Sequence, residues 1–105
     1  MSINIDNGKI ITKPDAENYT HAFQAKNPKA TKAYFIGLDK INLILKQDNC
    51  IGVRIYDGYN AKTSKENRVI VGVDKTGEDM VEGIIIEELI PCPPHCPKES
   101  SLIEE

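Results

Sequence analysis

The sequence predicts an α+β fold, in which two N-terminal helices pack on one face of a small antiparallel sheet of about three strands. Apolar residues recur at helical spacing in the first half of the chain, and two β-branched segments flank a run of loop-forming residues in the second half. The chain has 105 residues, which suits one domain. We assign this domain to residues 1–97, and a mobile polar tail to residues 98–105.

The first helix is predicted from its end signals. Residues 1–11 should form a loose arm or a short edge strand, because they contain an Asp-Asn-Gly turn signal. Thr12 can then cap the free amides of a helix whose first turn contains Pro14, and Pro28 ends that helix. Three residues at helical spacing give this helix an apolar stripe, namely Ala16, Tyr19 and Phe23.

A second helix is predicted over residues 29–47, with a possible break at Gly37. Four apolar residues of its second half, 38–47, share one helical face: Leu38, Ile41, Ile44 and Leu45. The Asp-Asn pair that follows is expected to end the helix.

A hairpin is the clearest prediction from the second half of the chain. The segments 50–57 and 68–74 are β-branched, and the stretch between them is rich in loop formers. A loop placed symmetrically over 57–67 sets Tyr56 opposite Arg68, Arg54 opposite Ile70, and Gly52 opposite Gly72. This register puts four apolar side chains on one face, which should meet the helices: Val53, Ile55, Val69 and Val71.

The apolar segment 83–90 is predicted to form a third strand beside 68–73. A short buried helix is the alternative, because periodicity does not separate the two for apolar runs of this length.

Composition excludes several classes of function. The net charge is −3 at pH 7 with both signs interspersed, so the basic surface of a nucleic-acid binder is missing. No apolar run approaches the ~20 residues of a membrane span. The N-terminus lacks the basic start and apolar stretch of a secretory signal, and we therefore expect a cytoplasmic protein with reduced thiols.

The segment Pro-Cys-Pro-Pro-His-Cys-Pro, residues 91–97, contains three side chains that can bind a metal: Cys92, His95 and Cys96. Zinc requires four such ligands, and no second cysteine pair is present. In an extended conformation the two cysteine Cα atoms would lie about 12 Å apart. A turn centred on Pro94 and His95, or a cis bond between the two inner prolines, would be needed for a disulfide. A rigid tail, a zinc site and a disulfide or redox pair therefore remain open.

The predicted register also creates a candidate partner-binding surface. Gly52 opposite Gly72 would leave a trough without side chains, and glycine within strands often marks a close approach of another group. We include eight residues in this surface: Gly52, Arg54, Tyr56, Arg68, Ile70, Gly72, Pro93 and Pro94. The prolines belong to it because proline-rich segments bind aromatic surfaces at little cost in entropy.

Signals for catalysis are weak. His21 and His95 are the only histidines, and no three glycines have the spacing of a phosphate-binding loop. The Asp-Lys-Thr-Gly sequence at 74–77 resembles the phosphorylation motif of P-type ATPases, but the match ends at Glu78. An enzyme is therefore less expected than a non-catalytic protein.

The strands and the terminal segment together resemble a group of short uncharacterised proteins of Bacteroidota. The residues that carry the resemblance are Ile-Gly-Val-Arg-Ile-Tyr at 51–56, Val-Gly-Val-Asp at 71–74 and Pro-Cys-Pro-Pro at 91–94. The resemblance implies a bacterial, cytoplasmic setting and transfers no catalytic residue.

We therefore expect a small module without cofactor that binds another protein through its sheet face, its sheet edge or its proline-rich tail. Self-association through a sheet edge is a further possibility. Two alternatives stay open: a metal- or redox-responsive protein that uses Cys92, His95 and Cys96, and a small enzyme or ligand binder that uses the trough.

Overall fold

The computed structural model describes residues 2–104, and it is an α+β structure with two helices and small antiparallel sheets. The predicted fold class is confirmed at this level. The elements in chain order are α1 (Lys13–Lys26), β1 (Ala33–Phe35), α2 (Leu38–Leu45), β2 (Cys50–Asn60), β3 (Lys65–Asp74), β4 (Ile85–Ile86) and β5 (Ile90–Cys92).

The described residues divide into two compact units. The first unit contains residues 2–7 and 36–89, and the second contains residues 8–35 and 90–104. The sheet of the first unit has the strand order β2-β3-β4, whereas the second unit has a two-stranded sheet of β1 and β5. Because α1 belongs to the second unit, the packing of both helices on one sheet face stays a prediction.

Helix α1 begins and ends where the sequence predicts. The Thr12 side chain accepts a hydrogen bond from the backbone amide of Asp15 at 3.2 Å, and Asn27 follows the last helical residue. The Asn27 side-chain amide donates to the carbonyl oxygen of Phe23 at 3.0 Å. These bonds satisfy backbone groups that have no partner within the helix.

The predicted apolar stripe of α1 is not its covered face. Tyr19 and Phe23 are exposed, whereas Gln24 is buried. The buried face is polar because the C-terminal segment supplies backbone hydrogen bonds to it. The Thr20 hydroxyl and the Gln24 amide both donate to the carbonyl oxygen of Leu102, at 2.8 and 3.0 Å. The predicted mobility of the tail 98–105 stays a prediction.

The second helix is shorter than predicted, and its first half is a strand. Residues 33–35 form β1, and only the segment 38–45 is helical. The partner of β1 is β5, and in this antiparallel pair Tyr34 lies opposite Pro91. The helix predicted before Gly37 was therefore wrong, because pairing with a distant strand outweighed the local preference of these residues. The break at Gly37 and the helix that follows it are confirmed.

The hairpin forms, but its register differs from the prediction by one residue. Val53 lies opposite Gly72, Ile55 opposite Ile70, and Asp57 opposite Arg68. The strands continue to Asn60 and Lys65, which leaves a loop of residues 61–64 instead of 57–67. The Asn60 side chain accepts hydrogen bonds from the amides of this loop and so holds the tight connection in place.

Strand β3 is central in the first unit and is buried on both of its faces. Ile70, Val71 and Val73 are each at most 4% exposed. On its other edge β3 pairs with β4, where Ile70 lies opposite Ile86. The predicted third strand exists, although its paired part is only Ile85–Ile86 rather than the whole of 83–90.

Helix α2 ends close to β3. Ile44 is fully buried, and an ideal Cβ atom built on Gly72 would lie 3.3 Å from its Cγ2 atom. Gln47, just beyond the helix, accepts a hydrogen bond from the Ile84 amide at 2.8 Å and donates to the Ile44 carbonyl at 3.0 Å. The side chain of Gln47 thereby connects the end of α2 with the segment before β4.

None of the helices among residues 2–104 combines the length and the apolar character that crossing a bilayer requires.

Candidate functional site

One long edge of the sheet in the first unit carries no further strand from the described part of the chain. Strand β2 has eleven residues and pairs with β3 on one side only, as far as residues 2–104 are concerned. A strand in this position presents a row of backbone amide and carbonyl groups without strand partners. We call this feature, residues 52–60, the β2 edge.

The β2 edge has few of the devices that usually block an edge strand. Residues 52–60 contain no proline and no lysine, and the register irregularity of β2 lies at its beginning, between Cys50 and Gly52. Large side chains are exposed along it, with Ile55 at 59% and Tyr59 at 66%. Both side chains project from the same sheet face, because they are separated by an even number of positions.

A polar cluster occupies the opposite face of β2. The guanidinium of Arg54 and the hydroxyl of Tyr56 both donate hydrogen bonds to the carboxylate of Asp79. Arg54 also donates to the carbonyl oxygen of Gly77 at 3.3 Å. Asp79 reaches this position because it forms an antiparallel bridge with Val73 of β3. The cluster therefore fixes the turn after β3 against the side chains of β2.

Hydrogen bonding shifts the pKa values within this cluster. The hydroxyl of Tyr56, followed by the guanidinium of Arg54, stabilises the Asp79 carboxylate and holds its pKa below the ordinary aspartate value. The same bond to Asp79 raises the pKa of Tyr56, because the neutral phenol is the donor. Both shifts favour the charged carboxylate and the neutral phenol at neutral pH.

We expect Asp79→Asn to weaken the acid dependence of stability. Because the folded pKa of Asp79 is depressed, its contribution is present above the unfolded pKa of about 4 and is lost as the pH falls through the folded value. Below pH ~4 the melting temperature of the wild type should therefore fall more steeply than that of Asp79→Asn. At pH 7 the variant should melt at a lower temperature, as measured by circular dichroism.

Asp57→Asn is the matched control for this experiment. The side chain of Asp57 is 90% exposed and forms an ion pair with Nε of Arg68, 3.1 Å away, and such surface pairs contribute little to stability. The control should retain the acid dependence of the wild type. Some dependence will remain in every variant, since the Thr76 hydroxyl lowers the pKa of Asp74. Identical pH profiles for Asp79→Asn and Asp57→Asn would contradict the role of the cluster.

The structure separates the residues of the predicted trough. Gly52, Arg54 and Tyr56 lie on the face of the sheet that carries Asp79, since they pair with Val73, Val71 and Val69. Arg68, Ile70 and Gly72 lie on the other face. The slip of one residue in the register is the cause, and the trough of two opposed glycines does not form.

The two glycines of the predicted trough have different surroundings. A Cβ atom on Gly72 would lie 2.9 Å from Nε2 of Gln47 and 3.2 Å from Sγ of Cys50, so the space beside Gly72 is already filled. Gly52 has no heavy atom within 4 Å of such a Cβ position. It lines a cavity of about 360 Å³ that is bounded by the N-terminal arm, including Ile3 and Ile5.

The proline-rich segment of the second unit contains a disulfide bond between Cys92 and Cys96, whose Cα atoms lie 4.7 Å apart. The peptide bonds that precede Pro93 and Pro94 are both cis, and the backbone amide of His95 donates to the carbonyl oxygen of Pro91 at 3.0 Å. The turn that the sequence requires for a disulfide is thus present. We call residues 92–96 the disulfide loop.

The disulfide form does not offer the thiolates that zinc would need. Across residues 2–104, no three His, Cys, Asp or Glu side chains are grouped so that they could hold a metal ion. Zinc binding by Cys92, His95 and Cys96 in the reduced protein stays a prediction.

An apolar cavity of about 490 Å³ lies beside the disulfide loop within the second unit. Its lining includes both cysteines, His95, Phe35 and Ile90. Phe35 and Ile90 lie opposite each other in the pair of β1 and β5. Phe35 is 65% exposed and Ile90 is 45% exposed. The second unit therefore places a disulfide bond next to an accessible apolar surface.

The residues of these surfaces that the sequence prediction missed include Phe35, Ile55, Tyr59, Asp79 and Ile90. Asp79 was assigned to a polar turn, and nothing local indicates that its carboxylate returns to Arg54. Phe35 was assigned to a helix. In the structure Phe35 belongs to β1, where exposed and half-buried residues alternate over 33–35. Three residues are too few for this alternation to be recognised in the sequence.

No family model, curated protein or solved structure matches the chain.

Proposed function

We propose that this protein is a non-catalytic interaction module that adds an extended segment of another protein to its β2 edge. The single observation that carries the proposal is an eleven-residue strand that, within residues 2–104, pairs with another strand on one side only. Addition of a strand supplies a row of backbone hydrogen bonds, and side-chain contacts at alternate positions supply selectivity.

The side chains of the β2 edge suit this mode of binding. Ile55 and Tyr59 are exposed on one face and offer apolar contacts to alternate side chains of an added strand. On the other face Arg54 is held by Asp79, so its charge does not stand free at the edge. Self-association of two copies through their β2 edges would use the same surface. The proposal also includes a cytoplasmic location for the protein.

A displayed peptide library tests the proposal. Peptides that the wild type selects should carry β-branched residues at alternate positions, and they should slow hydrogen exchange of the backbone amides of 52–60. Ile55→Lys should abolish selection and protection, because a charged side chain on an edge strand, lysine especially, disfavours pairing with a further strand.

Leu43→Lys is the matched control for this test, because Leu43 lies on α2 and is 49% exposed. It should bind the selected peptides as the wild type does. Protection confined to residues 90–97 would contradict the β2 edge and place binding at the proline-rich segment. A concentration-dependent dimer that Ile55→Lys abolishes would identify a second copy as the occupant.

A further inference from the structure

We infer that the disulfide loop is a thiol–disulfide exchange site at which an external thiolate attacks Sγ of Cys96. This site lies in the second unit and is independent of the β2 edge, so its failure would not affect the proposed function. The inference depends on the different exposure of the two sulfur-bearing residues and on the apolar cavity beside them.

The two cysteines differ in accessibility. Cys92 is 3% exposed and ends β5, where its carbonyl oxygen accepts a hydrogen bond from the Lys32 amide at 2.7 Å. Cys96 is exposed and lies outside the strand. Exchange requires an approach of the attacking sulfur to one sulfur of the disulfide, and access selects which sulfur is attacked. This arrangement assigns the attacked position to Cys96 and the leaving group to Cys92.

The reaction balances as two successive exchanges. A first thiolate forms a bond to Sγ of Cys96, the bond between Cys92 and Cys96 breaks, and Cys92 leaves as a thiolate that takes up a proton. A second thiolate attacks the external sulfur of the mixed disulfide, and Cys96 leaves as a thiolate that is protonated in turn. The protein gains two electrons and two protons, while two external thiols are oxidised to one disulfide.

The surroundings of Cys96 support exchange with a thiol that has apolar neighbours. The cavity of about 490 Å³ reaches from Cys96 to Phe35 and Ile90, both of which expose apolar surface. His95 lines the same cavity. The third cysteine, Cys50, lies in the first unit, where its thiol donates to the carbonyl oxygen of Gly52.

Single-cysteine variants test the assignment. In a Cys50→Ser background, the Cys92→Ser variant should form a mixed disulfide with oxidised glutathione on Cys96. The Cys96→Ser variant should react at least about tenfold more slowly, because its remaining sulfur is buried. Mass spectrometry after acid quenching measures both rates, and circular dichroism checks the fold. Equal rates in folded variants would overturn the inference.

The protein with Cys92 and Cys96 both intact gives an independent measurement, which does not require folded single-cysteine variants. Under native conditions reduced glutathione should open the disulfide through these two exchanges, and the intermediate trapped by acid should carry glutathione on Cys96. A disulfide that is reduced only after unfolding in denaturant would identify a structural bond and overturn the inference, as would an intermediate on Cys92.

A second thiol tests the role of the cavity. A short peptide whose cysteine is flanked by leucines should reduce the disulfide faster than glutathione does at equal thiolate concentration. Phe35→Ala should remove this advantage and leave the rate with glutathione unchanged. Equal rates for the two thiols in the wild type would contradict the cavity as the binding site for the attacking group.

Discussion

Ile44→Ala is expected to be the most destabilising of the substitutions considered, with a loss of about 2–5 kcal/mol in the free energy of unfolding. Among the described residues, Ile44 is the largest side chain that is fully buried, and it extends from α2 to the position of Gly72 in β3. Truncation to alanine removes three methyl or methylene groups and leaves a cavity that the sheet cannot fill. Urea denaturation followed by circular dichroism measures the effect.

Leu43→Ala is the matched control for Ile44→Ala. Leu43 is the preceding residue of α2 and is 49% exposed, so its truncation changes the same helix without opening a cavity. We expect a change within about 1 kcal/mol, since alanine also favours the helix. Losses of equal size for the two variants would indicate that α2 does not pack on the sheet through Ile44.

Gly72→Ala should have the second-largest effect, a loss of about 1–3 kcal/mol from overpacking. The added methyl group would lie 2.9 Å from Nε2 of Gln47 and 3.3 Å from Cγ2 of Ile44. Gln47 can withdraw only by giving up its hydrogen bonds to Ile84 and Ile44. The same denaturation experiment measures this loss.

Gly52→Ala is the control for Gly72→Ala and also tests the register. Because a Cβ atom on Gly52 meets nothing within 4 Å, its stability should change by no more than about 0.5 kcal/mol. If the two glycines lay opposite each other, as the sequence predicted, both substitutions would add a methyl group to one surface and have similar effects. Similar losses would therefore contradict the register described above.

The register shows why the hairpin could be predicted and its pairing could not. Strand β3 is apolar at Val69, Ile70, Val71 and Val73, because it is buried on both faces. A strand of this kind has no alternation that selects an inner face, so its pattern is compatible with either register. The length of the loop then decides between the two registers. Residues 57–60, which were expected in the loop, continue strand β2.

The other differences between the predicted and the observed elements come from contacts between distant parts of the chain. Strand β1 pairs with β5 across more than fifty residues, and three residues carry too little pattern to reveal it. Helix α1 was predictable because Thr12 and Pro28 are local end signals. For the disulfide loop the sequence limited the role to a rigid tail, a metal site or a disulfide or redox pair. It could not choose among them, because Cys92, His95 and Cys96 suit a metal site and the two cysteines also suit a disulfide.

The contact between Gln24 and the C-terminal segment constrains how this sequence can vary. The Gln24 amide donates to the Leu102 carbonyl at 3.0 Å and accepts from the Glu104 amide at 2.8 Å. Both partners are backbone groups, which any residue except proline at 104 would supply. Substitutions at 102 and 104 should therefore be tolerated over evolutionary time. At position 24, glutamate would set a carboxylate against a carbonyl oxygen, so drift there is restricted.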